Sequence, residues 1–213
     1  MINALTPQQI FAEHKFIPVV VLDDVHKAIL LAKALLKGGI NIMEITLRSK
    51  NAFTIIETIA NDIPEMLIGA GTILNSDQYH KSIKHGAKFT VSPGLTPDLI
   101  DVAKDYDISF IPGAITPTEI MYAINADFNY LKFFPAESYN GLSILKALTS
   151  VFSQIKFCPT GGISLENAKQ YLNIPNVAGV GCSFLADKFL IENSKFDEIT
   201  QLAAKTINLL HHE

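Results

Sequence analysis

The 213-residue sequence lacks the features that membrane, secreted and nucleic-acid-binding proteins usually carry. No apolar run approaches the roughly 20 residues that a membrane-spanning helix needs, so we expect no membrane association. The formal net charge of −4 provides no basic surface for nucleic acid. The chain starts without a basic segment followed by an apolar one. Together these absences predict a cytoplasmic protein.

Cysteine and histidine are also scarce. The two cysteines, Cys158 and Cys182, have no spacing typical of metal ligands, and we interpret them as reduced thiols in the core. No pair of the six histidines has ligand spacing, and His211 and His212 belong to a predicted solvated tail. No Gly-x-Gly-x-x-Gly motif follows a predicted strand, so nicotinamide binding has no support. We therefore expect neither a metal nor a cofactor.

What the sequence has is a regular alternation of short apolar runs and amphipathic stretches. Hydrophobic residues make up 48% of the chain and charged residues 18%, which suffices for a large core. Eight runs predict strands, at 17–22, 41–47, 67–73, 89–93, 109–114, 130–136, 156–162 and 178–184. The gaps between them predict helices, among them 25–37, 52–60, 76–85, 97–104 and 117–125.

Apolar strands that alternate with helices indicate a parallel sheet covered by helices. Eight such units in about 200 residues match a small (β/α)8 barrel, and a doubly wound open sheet is the alternative. A further helix over residues 8–15 should precede the first strand, because Thr6 and Pro7 form a typical N-cap and first helical position. No linker or charge block divides the chain. The prediction is a single α/β domain over residues 1–213, a (β/α)8 (TIM) barrel with an extra N-terminal helix.

One predicted strand carries a lysine among apolar residues. Lys132 stands between Leu131 and Phe133. Burial of an ammonium group is costly, and desolvation favours the neutral amine. A neutral lysine is a nucleophile that forms a Schiff base with a carbonyl carbon. On an edge strand the same lysine would instead extend its ammonium group to water.

The second predicted strand alternates polar and apolar residues. Glu44, Thr46 and Arg48 share one face because successive side chains of a strand point to opposite sides. In a barrel this face would point inward, whereas a half-exposed antiparallel strand would show the same pattern. We interpret Glu44 as a general acid and base and Arg48 as a bidentate partner for a carboxylate.

Glycine and hydroxyl-bearing residues collect where the last two predicted strands end. Thr160, Gly161 and Gly162 lie at the end of one strand, and Gly181 and Ser183 lie at the end of the other. Backbone N–H groups that glycines expose ahead of a helix bind phosphate, and barrels place phosphate between these two loops. The pattern predicts a phosphate site, with tight turns as the alternative explanation of the glycines.

Five motifs stand at the predicted strand ends, in the order Glu-Ile-Thr-Leu-Arg at 44–48, Gly-Ala-Gly-Thr at 69–72, Ser-Pro-Gly at 92–94, Lys-Phe-Phe-Pro-Ala-Glu at 132–137 and Pro-Thr-Gly-Gly-Ile at 159–163. Together they resemble the 2-keto-3-deoxy-6-phosphogluconate (KDPG) aldolases, bacterial class I aldolases that also act as 4-hydroxy-2-oxoglutarate (KHG) aldolases. The resemblance implies a (β/α)8 barrel that forms homotrimers. It also implies metal-independent cleavage of a phosphorylated keto acid to pyruvate and glyceraldehyde 3-phosphate, as in the Entner–Doudoroff pathway.

The resemblance further implies a role for individual residues. Lys132 corresponds to the Schiff-base lysine and Glu44 to the residue that moves protons, while Arg48 and Thr72 correspond to the residues that hold the pyruvyl carboxylate. Gly161, Gly162 and Ser183 correspond to the phosphate-binding residues. The remaining substrate-binding positions that it implies are Pro93 and Thr160.

Two loops depart from the family pattern. Cys182 and Phe184 flank Ser183 where Gly-Gly-Ser-Trp is common, and Ala-Ile-Thr-Pro at 114–117 replaces a more familiar Ile-Ser-Thr. Both loops lie near the far end of the substrate and bear on phosphate affinity and aldehyde choice. Three alternatives follow: an aldolase for the galactonate epimer, one that prefers unphosphorylated KHG, and a phosphate-metabolite-binding barrel without turnover. Lys132 and Glu44 argue against the last.

Overall fold

The computed structural model describes residues 5–210, in which parallel strands alternate with helices. The strands are β1 (Phe16–Val20), β2 (Ile42–Thr46), β3 (Leu67–Gly71), β4 (Phe89–Val91), β5 (Ser109–Ile111), β6 (Tyr130–Phe133), β7 (Lys156–Pro159) and β8 (Val180–Cys182). The helices are α1 (Pro7–Glu13), α2 (Val25–Lys37), α3 (Ala52–Asp62), α4 (Ser76–Lys84), α5 (Pro97–Lys104), α6 (Pro117–Asn125), α7 (Gly141–Val151), α8 (Ala168–Leu172), α9 (Lys188–Glu192) and α10 (Phe196–Asn208). Each of the eight predicted runs overlaps one strand, which confirms that part of the prediction.

Six of the strands form one parallel sheet in the order β5-β4-β3-β2-β1-β8, which makes half of a barrel, and β6 pairs in parallel with β7. Over the described residues, the six-stranded order has no switch point of the kind that defines a doubly wound sheet. Isolated bridges join Gly113 to Lys132 and Thr160 to Gly181. Because all the strands run the same way, their C-terminal ends meet along one side of the fold.

The helices begin at polar capping residues. Thr6 is the N-cap of α1, with Pro7 at its first position, and the backbone N–H of Thr6 donates to Gln9 Oε1 at 2.8 Å to complete a capping box. This helix and the five internal helices named from the sequence are confirmed, with ends that agree to within two residues. Similar caps begin four of those internal helices: Asp24, Asn75, Thr96 and Thr116.

The core is apolar and continuous around the strands. Every residue of β1 and β2 is buried, as expected when helices cover a parallel sheet on its outer face and side chains fill the inner one. No helix in residues 5–210 is both long enough and apolar enough to cross a membrane. The predicted tail with His211, His212 and Glu213 lies outside the described residues.

Candidate active site

Lys132 lies inside the fold, in the middle of β6. Its backbone N–H donates to the carbonyl of Pro112 at 2.8 Å, and its own carbonyl accepts from the N–H of Ala114 at 3.0 Å. On the other side its register partner in β7 is Cys158. The residue is only 5% exposed. The edge-strand interpretation, in which the ammonium group reaches water, is therefore wrong.

The carboxylate of Glu44 faces this lysine from β2. Glu44 Oε1 lies 3.5 Å from Lys132 Nζ, and the two side chains are 4% and 7% exposed. An ion pair is strong where water cannot screen it, but its desolvation is costly. Among the described residues, Oε1 has no hydrogen-bond partner, so the pair leaves this acceptor without a donor. The predicted acid–base residue and the predicted nucleophile are thus in direct reach of each other.

Gly71 makes room for the carboxylate of Glu44. In the register of β2 and β3, Gly71 stands opposite Thr46, at the C-terminal end of its strand. A methyl group on Gly71 would lie 2.6 Å from Glu44 Cγ and would collide with the carboxylate itself. In the sequence, Gly71 stands out only as part of the Gly-Ala-Gly-Thr motif at 69–72. Its role depends on which strand lies next to β2, which no local pattern reveals.

Cys158 lies beside the same pair. Both cysteines are free and buried, as the sequence predicted. Burial raises the pKa of the Cys158 thiol to about 12, while the nearby charge of Lys132 acts in the opposite direction and that of Glu44 in the same direction. Burial likewise raises the pKa of Cys182. A neutral, apolar thiol therefore forms part of the surroundings of Lys132, a neighbour that sequence reasoning did not identify.

Two of the residues predicted to bind substrate follow the ends of neighbouring strands. Thr72 comes directly after β3 and has a φ of +62°, a region that β-branched residues rarely adopt. Backbone strain of this kind concentrates at functional sites. Pro93 follows β4 and is exposed, and its carbonyl fills the space where Gly113 lacks a side chain. Thr72 and Pro93 therefore both lie at the C-terminal side of the sheet.

Arg48 does not extend the polar face of β2 as predicted. The strand ends at Thr46, and Arg48 lies exposed in the turn that follows. Two hydrogen bonds bend the chain here: Ser49 Oγ donates to the carbonyl of Leu22 at 2.8 Å, and the N–H of Lys50 donates to Asp23 Oδ1 at 2.7 Å. Arg48 remains at the C-terminal side, but its position is set by the turn.

The predicted phosphate residues lie after β7 and β8. Gly161 and Gly162 have φ values of +98° and +77°, which side chains rarely adopt, and Thr160 pairs with Gly181 across the two strands. Ser183 is exposed directly after β8. The structure thus brings Thr160, Gly161 and Gly162 next to the strand that Ser183 follows. Its neighbour Phe184 begins a 3₁₀ turn that runs to Ala186.

The helix expected directly after these glycines begins only at Ala168 and has five residues. The side chain of Asn167 explains why the helix starts later than expected. Its Oδ1 accepts from the N–H of Ser164 at 2.8 Å, and its Nδ2 donates to the carbonyl of Gly162 at 3.1 Å. Asparagine favours turns because its side chain bonds nearby backbone. The contribution of a helix N-terminus to this predicted phosphate site is therefore not supported.

A cavity of about 830 Å³ opens beside Ser183, at the C-terminal ends of β1 and β8. Its walls include Leu22, Phe184 and Asp187. Asp187 is already engaged as the N-cap of α9, where it accepts from the N–H of Leu190 at 2.9 Å. Within residues 5–210, no three His, Cys, Asp or Glu side chains are grouped to hold a metal ion.

The chain has close relatives in sequence. The family model described as KDPG and KHG aldolase matches residues 8–202. A 2-dehydro-3-deoxy-phosphogluconate aldolase from Pseudoalteromonas atlantica is 41% identical over 203 residues, which covers 95% of this chain and 94% of the relative. A KHG/KDPG aldolase from Escherichia coli is 40% identical over 191 residues, 90% of each chain.

A solved structure agrees. The crystal structure of KDPG aldolase from Legionella pneumophila, with pyruvate captured at low pH as a covalent carbinolamine intermediate, matches with a TM-score of 0.92. It is 40% identical and covers 95% of this chain and 98% of that one. With the family model and the relatives spanning nearly all of its length, the chain belongs to the KDPG and KHG aldolase family.

Proposed function

We propose that this protein is a class I aldolase that cleaves KDPG to pyruvate and glyceraldehyde 3-phosphate through a Schiff base on Lys132, and that it also cleaves KHG to pyruvate and glyoxylate. The observation that carries the proposal is the buried Lys132 with its Nζ 3.5 Å from Glu44 Oε1. The covalently captured pyruvate of the 40% identical Legionella enzyme supports the same chemistry. The names of the relatives support both substrates.

The proposed reaction starts at the amine of Lys132. Glu44 takes a proton from the ammonium group, and the neutral amine adds to the C2 ketone to give a carbinolamine. Glu44 returns the proton to the departing hydroxyl, water leaves, and an iminium forms. A single carboxylate within reach of Nζ serves both steps, because its protonation state reverses between them.

Carbon–carbon cleavage then uses the iminium as an electron sink. A base removes the proton of the C4 hydroxyl, the C3–C4 bond breaks, and its electrons move to the nitrogen to leave an enamine and the free aldehyde. Protonation of the enamine at C3 restores the iminium, and water releases pyruvate and the lysine. We assign both proton transfers to Glu44, since its Oε1 has no competing donor among the described residues.

The groups around Lys132 are compatible with the cationic ammonium and iminium forms of this reaction. Lys132 Nζ lies 5.3 Å from the centre of the Phe134 ring, a distance at which the ring face attracts a cation. Cys158 supplies a thiol that stays neutral. Such a low-dielectric site strengthens the interaction of Glu44 with an iminium, because little water screens it.

We assign the ends of the substrate to the loops at the strand ends. Arg48 and Thr72 hold the pyruvyl carboxylate, with Pro93 beside them, and this fixes the carbonyl carbon at reacting distance from the amine. At the other end, phosphate lies against Thr160, the N–H groups of Gly161 and Gly162, and the hydroxyl of Ser183. The positive φ of both glycines and the exposure of Ser183 support this assignment.

We further propose that residues 1–213 form one closed (β/α)8 barrel with α1 as an extra N-terminal helix. The bridges from Gly113 to Lys132 and from Thr160 to Gly181 support closure, since they join the β6–β7 pair to the segment directly after β5 and to β8. Family membership supports a homotrimer. The free thiols of Cys158 and Cys182 fit the reducing cytoplasm, where we place the protein.

A comparison of retro-aldol rates tests the proposed substrate. The purified protein is given KDPG, its galactonate epimer and KHG at equal concentrations, and release of pyruvate is followed. We expect cleavage of KDPG to be fastest. Faster cleavage of the galactonate epimer or of KHG would reassign the enzyme to that substrate. Release of pyruvate from none of them would favour the non-catalytic binding barrel.

A further inference from the structure

Glu137 ends the motif that contains Lys132, but the proposed mechanism gives it no role. It begins a short 3₁₀ turn after β6 and lies at the surface. One of its carboxylate oxygens nevertheless accepts a hydrogen bond from the hydroxyl of Tyr171, a fully buried residue of α8. The hydrogen bond from a buried tyrosine fixes the position of this exposed carboxylate, whereas an ordinary surface glutamate is free to move.

Glu137 also packs directly on the glycine turn, defined here as residues 160–162. The N–H of Glu137 donates to the carbonyl of Gly161 at 3.1 Å, and the N–H of Ala136 donates to that of Thr160 at 2.8 Å. A methyl group on Gly162 would lie 2.5 Å from Glu137 Cβ. The backbone of Glu137 thus contacts the turn from one side.

The chain after the glycine turn returns to the same carboxylate. Asn167 holds the carbonyl of Gly162, α8 begins at the next residue, and Tyr171 in that helix donates to Glu137. The segment from Gly161 to Tyr171 is therefore fastened to Glu137 at both ends. Burial, followed by the hydrogen bond to Glu137, raises the pKa of Tyr171, so its hydroxyl stays protonated and remains a donor.

Backbone hydrogen bonds link the segment from Gly161 to Tyr171 to the reacting Lys132. The N–H of Thr160 donates to the carbonyl of Phe133 at 2.9 Å, next to Lys132 in β6. The β6–β7 pairing thus runs without interruption from Lys132 to the contact between Glu137 and Gly161. Any shift of the glycine turn relative to the lysine must disturb the contacts of Glu137.

We infer that Glu137 and Tyr171 are positioning residues that fix the glycine turn at a set distance from Lys132 and so determine the preference for substrates with a terminal phosphate. The inference rests on the proposed function, in which phosphate binds at this turn. Without the Tyr171 hydrogen bond, the Glu137 carboxylate is free to turn toward the phosphate and the glycine turn loses one of its two fastenings. Both changes weaken phosphate binding and leave the lysine chemistry intact.

Replacement of Tyr171 by Phe tests this directly. We expect the KM for KDPG to rise about tenfold, at the lower end of what a hydrogen bond to a charged group contributes. The kcat for KDPG and both constants for KHG should stay unchanged, because KHG carries no phosphate. Tyr106→Phe is the matched control, since it removes a tyrosine hydroxyl that bonds His80 Nδ1 elsewhere on the surface. This control should change neither kcat nor KM for either substrate.

Two variants of Glu137 keep the test informative if the buried phenylalanine perturbs folding. Glu137→Ala removes the acceptor together with its charge, so it should reproduce the part of the rise in KM for KDPG that comes from the lost fastening. The double variant with Tyr171→Phe should show no further rise above Glu137→Ala. Glu137→Gln keeps an acceptor oxygen for Tyr171 and should retain the KM of the unmodified enzyme. A lower KM in Glu137→Gln would mean that the carboxylate only repels phosphate, which would overturn the inference.

The outcomes also separate this inference from the proposed function. The phosphate site stands if the unmodified enzyme has a much lower KM for KDPG than for KHG. The positioning role is nevertheless wrong if folded Tyr171→Phe and Glu137→Ala leave the KM for KDPG unchanged, or raise the KM for KDPG and for KHG equally. If the unmodified enzyme has the same KM for KDPG as for KHG, the phosphate site and the inference that rests on it are both wrong.

Discussion

Glu44 Oε1 and Lys132 Nζ lie 3.5 Å apart although they belong to β2 and β6, which do not pair with each other. The two side chains approach across the interior, and each is nearly inaccessible to solvent. Removal of one partner from a buried pair leaves an uncompensated charge. Variants at either position therefore need a folding control, and isosteric changes are the most informative.

Glu44→Gln should separate proton transfer from covalent bond formation. The amide keeps the size of the side chain but no longer titrates. We expect cleavage to slow by about 10²- to 10⁴-fold, the usual contribution of a general acid–base group. Exchange of the pyruvate methyl protons with deuterium, followed by NMR, should slow as well. Trapping of the pyruvate adduct should persist at a lower rate, and near-normal methyl exchange would show that another group moves the protons.

Gly71→Ala should displace the Glu44 carboxylate while both Glu44 and Lys132 keep their own side chains. The added methyl occupies the space of the carboxylate. A misplacement of about 1 Å costs on the order of 10²-fold in rate, and we expect methyl exchange to slow by about that factor. Shortening the acid in the double variant with Glu44→Asp should recover part of the rate. A double variant slower than both single ones would argue against steric displacement as the cause.

Gly162→Asp should act on the phosphate end alone. The new side chain meets both an unfavourable φ and the Cβ of Glu137, and it brings a negative charge to the proposed phosphate site. The KM for KDPG should rise much more than the KM for KHG. Steady-state kinetics on the two substrates measure the difference. Equal increases would mean that the glycine turn has only a structural role.

The strands and most helices could be predicted because their signals are local. Apolar runs bounded by turn residues located β1 to β8, and polar caps such as Thr6 and Thr96 located helix starts. The burial of Lys132 did not follow from its neighbours alone, which are compatible with an edge strand; it followed from the alternation of strands and helices along the whole chain. Arg48 was misplaced because Asp23, far away in sequence, binds the turn in which it lies.

The parts that sequence reasoning missed all depend on register between distant segments. Gly71 faces Glu44 only because β2 and β3 are neighbours with one particular alignment. Cys158 lies beside Lys132 because β6 pairs with β7 in the same way. Tyr171 reaches Glu137 across 34 positions of sequence. Single-residue patterns carry no information on such alignments.

Cys158 should make stability fall at alkaline pH. Its pKa rises from 9.0 to about 12 on folding, so the unfolded chain loses the thiol proton first. The stabilisation is complete below pH 9 and disappears as pH rises toward the folded value. Between these limits, one such group lowers the free energy of unfolding by about 1.4 kcal/mol per pH unit. Urea titrations of Cys158→Ala at pH 8 and 10 should show a shallower decline than the unmodified protein, and an identical decline would contradict this.

The identity of the nucleophile is the central claim, and borohydride reduction in the presence of pyruvate tests it most directly. Intact mass spectrometry should show one added pyruvyl unit per chain, and peptide mapping should place it on Lys132. Lys132→Ala should abolish both the adduct and the cleavage of KDPG, with folding checked by circular dichroism. Absence of an adduct, or a label on Lys156 of the adjacent strand, would contradict the Schiff-base mechanism.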